Sequence, residues 1–155
     1  MKNFQSIIFL IIIILLNSCS YQKMNSVNQK KFHIQEFEIN ADSRESFLIQ
    51  KKIQRFSNEE SSNKIKIFIN LKKEKSIKEK NVQNKVTKYN LSLSADVKII
   101  ELNTTKEIRR YFSVNQSYKV EDSYSKTVYN SKEANISLID KIVDEILDQL
   151  KINYS

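Results

Sequence analysis

The 155-residue chain has no glycine, no proline, one cysteine and one histidine. Each scarcity removes a class of chemistry. Without glycine there is no glycine-rich loop to cradle a phosphate and no elbow to present a nucleophilic serine. His33 and Cys19 stand alone as residues of their kinds, too few for a zinc ligand set. A single thiol also forbids an internal disulfide. His33 alternates with apolar residues, where a lone imidazole serves structure. Carboxylates are plentiful but fall on expected helix faces and charged loops, where water solvates them. No catalytic residue, metal site or cofactor is expected, and the chain reads as a non-enzyme. The missing Gly and Pro also remove the usual turn signals, so periodicity must mark the element boundaries.

What is present begins with ten consecutive large apolar residues, Ile7 to Leu16. A bilayer-spanning helix needs about 20, so the run is too short for a retained anchor. It has instead the layout of a secretory signal: Met1 and Lys2 as a short positive region, an apolar stretch, then small residues. Leu16-Asn17-Ser18-Cys19 resembles the lipobox of bacterial lipoproteins, with Asn17 a less usual choice. That resemblance implies cleavage between Ser18 and Cys19, giving an N-acyl S-diacylglycerol cysteine as the covalent lipid. An ordinary signal peptide with an incidental cysteine is the bland alternative. Lipidation accounts for an unpaired thiol in an exported chain and withdraws it as a nucleophile. Several acyl chains on one residue give stable anchoring. Ser20 stands where Asp would favour inner-membrane retention, so the expected location is the outer membrane, lipid-anchored on the periplasmic side.

The expected division is a cleaved signal over 1–18, the lipidated residue and a short tether over 19–30, and a single domain over 31–155. The formal net charge is +8, carried by Lys, with Arg only at 44, 55, 109 and 110. Such a surface suggests anionic partners, but abundant Lys, Ile, Asn and Ser is also the composition of an AT-rich genome. Export argues against nucleic acid.

Phe32 and Ile34, then Phe37 and Ile39, predict a strand whose phase slips near Gln35-Glu36, as at a bulge. Asp42-Ser43-Arg44-Glu45 has the form of a capping box, opening a helix to about Phe56 that buries Phe47, Leu48, Ile49 and Ile53. Ile65, Ile67, Ile69 and Leu71 alternate with polar residues in a second strand. Tyr89, Leu91, Leu93, Ala95, Val97 and Ile99 do so strictly in a third. The Lys-rich run 71–88 between them is expected to be a flexible solvated connection, and its sharper reading is a docking segment for a barrel rim or anionic lipid. Asn103-Thr104-Thr105 is the expected turn, Asn tolerating left-handed backbone. Ile108, Phe112, Val114 and Tyr118 share one face of a fourth strand. Asn130 and Glu133 form a second capping-box pattern. Behind it Leu138, Ile139, Ile142, Val143, Ile146, Leu147 and Leu150 make an apolar stripe, with Asp140, Lys141, Asp144, Glu145 and Asp148 facing water.

The order β-α-β-β-β-α predicts an α+β, two-layer domain: a mainly antiparallel or mixed four-stranded sheet with two helices on one face and a polar face opposite. Arg109 and Arg110, with Tyr111, could grip phosphate through paired donors, the bland reading being exposed strand residues.

A lipobox followed by this order, the strand "TKYNLSLSADVKIIELNTTKEIRRYFSVNQSY", the segment "KVEDSYSKTVYNSKEA" and the helix "LIDKIVDEILDQL" resembles the lipopolysaccharide-assembly lipoprotein family LptE, also called RlpB. Tyr89, Leu91, Leu93, Ala95 and Val97 fill the family's strand positions, and Ile146 and Leu150 close its helix. Family members often carry Gly near the lipidated Cys and in the hairpin turn, and this chain has neither. The resemblance implies an outer-membrane lipoprotein that plugs an LptD-like outer-membrane β-barrel, assists its assembly and takes part in lipopolysaccharide transport to the cell surface. Its implied partners are that barrel, lipopolysaccharide, and outer-membrane lipid through Cys19. Arg109, Arg110, Lys119 and Lys126 are the candidate lipopolysaccharide contacts, the last two expected in the loop after the fourth strand. The alternative is an accessory subunit of an ABC-type envelope transporter or an activator of a cell-wall synthase. The short leash from Cys19 to the first strand favours a partner at the membrane.

The lipid anchor is directly testable. Cys19→Ser is expected to abolish incorporation of labelled fatty acid and to leave residues 1–18 attached in the intact mass. Labelling at the wild-type level in the variant would disprove the assignment.

Overall fold

The computed structural model describes residues 32–154. The leader, Ser18, Cys19 and the tether lie outside the described residues. The elements are β1 (His33–Asn40), α1 (Ser43–Gln54), β2 (Lys64–Lys80), β3 (Val86–Glu101), β4 (Glu107–Lys119) and α2 (Tyr124–Asn153). The strands lie in the order β1-β2-β3-β4. β1 runs parallel to β2, and both other pairings are antiparallel. A parallel neighbour in sequence requires a crossover, and α1 supplies it. This is the expected α+β domain: one mixed sheet with two helices packed on its apolar face.

The core follows the alternation. Ile65, Ile67 and Ile69 of β2, Leu91, Leu93, Ala95, Val97 and Ile99 of β3, and Ile108, Val114 and Tyr118 of β4 are buried against Ile49 and Ile53 of α1 and the α2 stripe. The register of β1 shifts between Ile34 and Glu36, where the sequence predicts the slip. The shift sets Ile34, Phe37 and Ile39 opposite Ile65, Ile67 and Ile69. All seven stripe residues from Leu138 to Leu150 are buried, and Ala134 extends the stripe by one turn. Each large aliphatic group so buried contributes about 1.5–3 kcal/mol.

The structure corrects the sequence reading in five places. Lys72–Lys80 is not a loop: β2 continues through it and pairs with β3 as far as Lys80 opposite Val86. Backbone hydrogen bonds read no side chain, so a strongly alternating β3 recruits a lysine-rich partner that has little periodicity of its own. The hairpin then closes over residues 81–85, with Asn84 taking the left-handed backbone at φ 62° that glycine would usually supply. In the β3–β4 turn the left-handed residue is Thr105, at φ 55°, and not Asn103. A β-branched residue there is strained by roughly 1–2 kcal/mol. Asn103 instead donates its side-chain amide to Ser62 O at 2.7 Å.

The helices account for the other three corrections. Asp42 caps α1 by accepting from Arg44 N at 3.0 Å, but Glu45 does not serve the capping box. It is buried and bonded to Lys73 of β2 and to Asn135 of α2. Phe47 is 61% exposed, because Glu45, Ile49 and Ile53 define the inward stripe and Phe47 falls outside it, with the Lys51 ammonium 5.8 Å from its ring. Finally, α2 starts at Tyr124 with Ser123 at its N-cap position, placing Asn130 and Glu133 inside the helix. Asn130 donates to Lys119 O at 3.2 Å. Asp140 lies on the water-facing side as expected, its side chain 45% exposed, and pairs with Lys52, tying α2 to α1.

Ile142→Ala, at a site with no exposure, is expected to cost about 2–5 kcal/mol. Phe47→Ala should shift stability by about 0.5 kcal/mol or less. Urea denaturation of both variants measures the contrast, and equal losses would contradict the packing described.

Candidate functional site

Strand alternation sorts the polar and basic side chains onto two surfaces. On the open face, opposite the helices, register aligns Glu36 with Lys66, Asn40 with Asn70, Asn70 with Asp96, Lys98 with Arg109, and Ser94 with Ser113. Lys66 pairs with Glu36, Arg109 bonds Glu107 at 2.5 Å, and the Lys98 ammonium lies 4.7 Å from the centre of the Phe68 ring. A shallow depression of about 270 Å³ lies among Glu38, Asn40, Phe68, Asp96, Lys98 and Arg109. The lining mixes both charges with amides and one ring, which suits a hydrated contact surface.

The second surface is the projecting end of the β2–β3 hairpin. Lys72, Lys73, Lys75, Lys78, Lys80, Lys85 and Lys88 lie along it, and Lys119 of β4 stands opposite Lys88. Individual contacts orient them. Lys78 donates to Ser117 Oγ at 2.8 Å, Lys80 to Asn84 Oδ1 at 3.0 Å, and Lys88 to Glu79 at 2.7 Å. The Lys75 ammonium lies 3.8 Å from the centre of the Tyr89 ring and 5.6 Å from that of Tyr118, a cation–π contact on the helix side of the sheet. The hydrogen bond from Lys88 holds the Glu79 carboxyl below its ordinary range, against desolvation and with help from the charges of Lys88, Lys78 and Lys119. Arg109 does the same to Glu107.

The four candidate contact residues do not form one site. Arg109 and Lys119 lie ten steps apart on β4, about 33 Å along the strand. Arg109 and Arg110 also point to opposite faces, Arg109 aligned with Lys98 and Arg110 with Val97, so they cannot act as a paired phosphate grip. Arg110 donates instead to the Arg109 carbonyl at 2.9 Å. Lys119 and Lys126 are neighbours at the other end, as the last residue of β4 and a residue of the first turn of α2 rather than a loop. They line adjoining clefts that share Glu121 and Asn130, with volumes of about 520 and 340 Å³.

Two features escaped sequence reading. The hairpin lysines carry only one apolar residue, Ile77, between Leu71 and Lys80, so no period could be seen. Glu45 satisfied a local capping pattern equally well. Among the described residues no group of three or more His, Cys, Asp and Glu side chains could hold a metal ion. No helix among them is long and apolar enough to cross a membrane.

No protein-family model matches the chain, and no curated protein matches its sequence. Solved structures match its fold. One is a Caulobacter crescentus CB15 protein described as a lipoprotein, with TM-score 0.56, 11% identity, and coverage of 79% of this chain and 89% of that one. Rare lipoprotein B from Shewanella oneidensis gives TM-score 0.55 at 11% identity over 76% of this chain and 95% of that one. An uncharacterized lipoprotein B from Nitrosomonas europaea gives 0.50 at 16% over 80% and 87%. The chain has the fold of rare lipoprotein B, the fold implied by the sequence resemblance.

Because Glu79 is held low by Lys88, the pair persists above the ordinary carboxylate range and is lost as pH falls through the depressed value. Carboxyl NMR titration should place Glu79 below 4.5. Lys88→Ala should move that midpoint upward; an unmoved midpoint would show that the pair does not form.

Proposed function

We propose that this protein is an outer-membrane lipoprotein, anchored through Cys19, that plugs an LptD-like β-barrel, assists its assembly and takes part in passing lipopolysaccharide to the cell surface. One observation carries the reading: a lipobox-like leader joined to the fold of rare lipoprotein B. The fold by itself is a scaffold, and the LptE-like sequence pattern supplies the functional expectation.

The physical properties of the domain support it. The lumen of a large outer-membrane barrel is polar and wet. A domain that turns its apolar faces inward and presents the Asn, Ser, Asp and Lys of its open sheet face can fill such a lumen without exposing a broad apolar patch. Lys119 and Lys126, adjoining at one end of the domain, are the better candidates for the phosphates of lipopolysaccharide, which Lys engages by charge-assisted hydrogen bonds. Arg109 and Arg110 divide between two faces and form no joint anion site.

Affinity purification of the tagged full chain from detergent-solubilised membranes, with mass spectrometry of stoichiometric partners, tests the reading. A large outer-membrane β-barrel recovered one to one is expected. An ABC permease or a cell-wall synthase in its place would replace this reading with an accessory or activator role. Lys119→Glu with Lys126→Glu should lower the lipopolysaccharide bound to the purified protein. Unchanged binding at moderate salt would remove these two residues from the contact.

A further inference from the structure

The sheet has exposed edges along β4, along the outer side of β1 and where β2 runs past β1, and the first and last of these are treated differently. In an antiparallel ladder, alternate residues direct their backbone groups toward the partner strand and away from it. The bond from Glu101 N to Lys106 O, 2.9 Å, sets the phase of the β3–β4 pair, so the odd-numbered residues of β4 face outward. Four of those outward carbonyls are covered by side chains. Arg110 Nη1 reaches Arg109 O at 2.9 Å, Lys141 Nζ reaches Asn115 O at 3.5 Å, Gln116 Nε2 reaches Ser117 O at 3.4 Å, and Asn130 Nδ2 reaches Lys119 O at 3.2 Å. Arg110 is also a charge on the core side of an edge strand, a further guard against unwanted pairing.

β2 has a second, shorter edge. The bond from Leu102 N to Lys64 O, 2.9 Å, sets its phase: even residues bond β3 and odd residues face away. β1 pairs with that side only as far as Asn70. Beyond it, Lys73, Lys75 and Ile77 carry outward N–H and C=O groups, and among the described residues no side chain bonds to them. Their own side chains are drawn toward the helix side, Lys73 to Glu45 and Lys75 to the tyrosine rings. Beneath the start of this edge lies a cavity of about 330 Å³ whose walls include the apolar Leu48, Leu91 and Ile136, the basic Arg44 and Lys132, and the carboxylates of Asp42 and Glu45, the latter paired with Lys73. The nearby Lys78, Lys80 and Lys85 make no ion pair among the described residues.

We propose that the Lys73–Ile77 edge of β2 is a strand-addition site for an extended acidic segment of a partner protein. The segment continues the line of β1 beyond Asn40, and alternate side chains of it enter the cavity. Backbone amides in a row recognise another polypeptide backbone, and the surplus of lysine selects acidic side chains on it. The inference goes beyond the proposed barrel-plugging role and does not depend on it.

The test uses the full chain in detergent and a labelled synthetic peptide of alternating Glu and Val, about eight residues long. Saturable binding is expected, with amide exchange slowed at least about tenfold at Lys73, Lys75 and Ile77 and unchanged at Tyr111 and Ser113 of β4. A peptide N-methylated at alternate residues cannot form a ladder and should lose about tenfold or more in affinity. Lys75→Pro, at a residue whose amide β3 does not use, should lose binding with the fold retained. Equal binding of the N-methylated peptide, protection at β4, or absence of protection at the three β2 amides would each overturn the proposal. Protection of the same amides by self-association without peptide would also overturn it, since the edge would then serve a second copy of this chain.

Discussion

The structure depends on the burial of one face of β3. This strand pairs on both sides, and Leu91, Leu93, Ala95, Val97 and Ile99 all point into the same core. Side chains alternate strictly along a strand, so a slip of one residue would carry that whole set into water and bring Ser92, Ser94 and Asp96 inside. The register of β2 and β4, the seat of α2 and the polarity of the open face all follow from avoiding that outcome. The chain accordingly tolerates local expense elsewhere: a left-handed threonine at 105, a charged residue buried at 45, and a long strand segment made mostly of lysine.

A sequence without glycine or proline must build its hairpins from other residues. Asn84 takes the left-handed position in one turn, and Asn81 Oδ1 accepts from Gln83 N and Lys85 N at 3.0 and 2.9 Å to hold it. In the other turn Thr104 and Thr105 spend their hydroxyls on Glu101 and on the Thr104 carbonyl. Side-chain oxygens thus do locally what backbone freedom does in glycine-bearing turns. The same economy extends to the sheet edge, where ordinary polar side chains from β4 and α2 cover outward carbonyls along an edge that has no proline to block pairing.

The basic charge is organised by the fold and not by the sequence neighbourhood. Adjacent arginines at 109 and 110 separate across the sheet, while Lys119 and Lys126 line adjoining clefts beyond the end of β4. Lysines scattered over residues 72–88 gather on one projecting hairpin. A domain with a polar sheet face, guarded along β4 and open along part of β2, offers surfaces suited to contact with other macromolecules.

The sequence by itself determined the element order, the buried face of β3, the slip in β1 and the whole apolar stripe of α2. Those signals are local and periodic, and burying them is favourable in any compact arrangement. It also determined the lipobox-like leader and the scarcity of histidine and cysteine. Only the tertiary structure decided the rest. Lys72–Lys80 became a strand because β3 offered it a backbone ladder, a long-range cause that leaves no trace in its own composition. Glu45 abandoned a capping role because Lys73 and Asn135, distant in sequence, reached it in the folded core. Whether neighbouring charges share a site depends on which face each occupies, and strand alternation and chain path settle that in three dimensions.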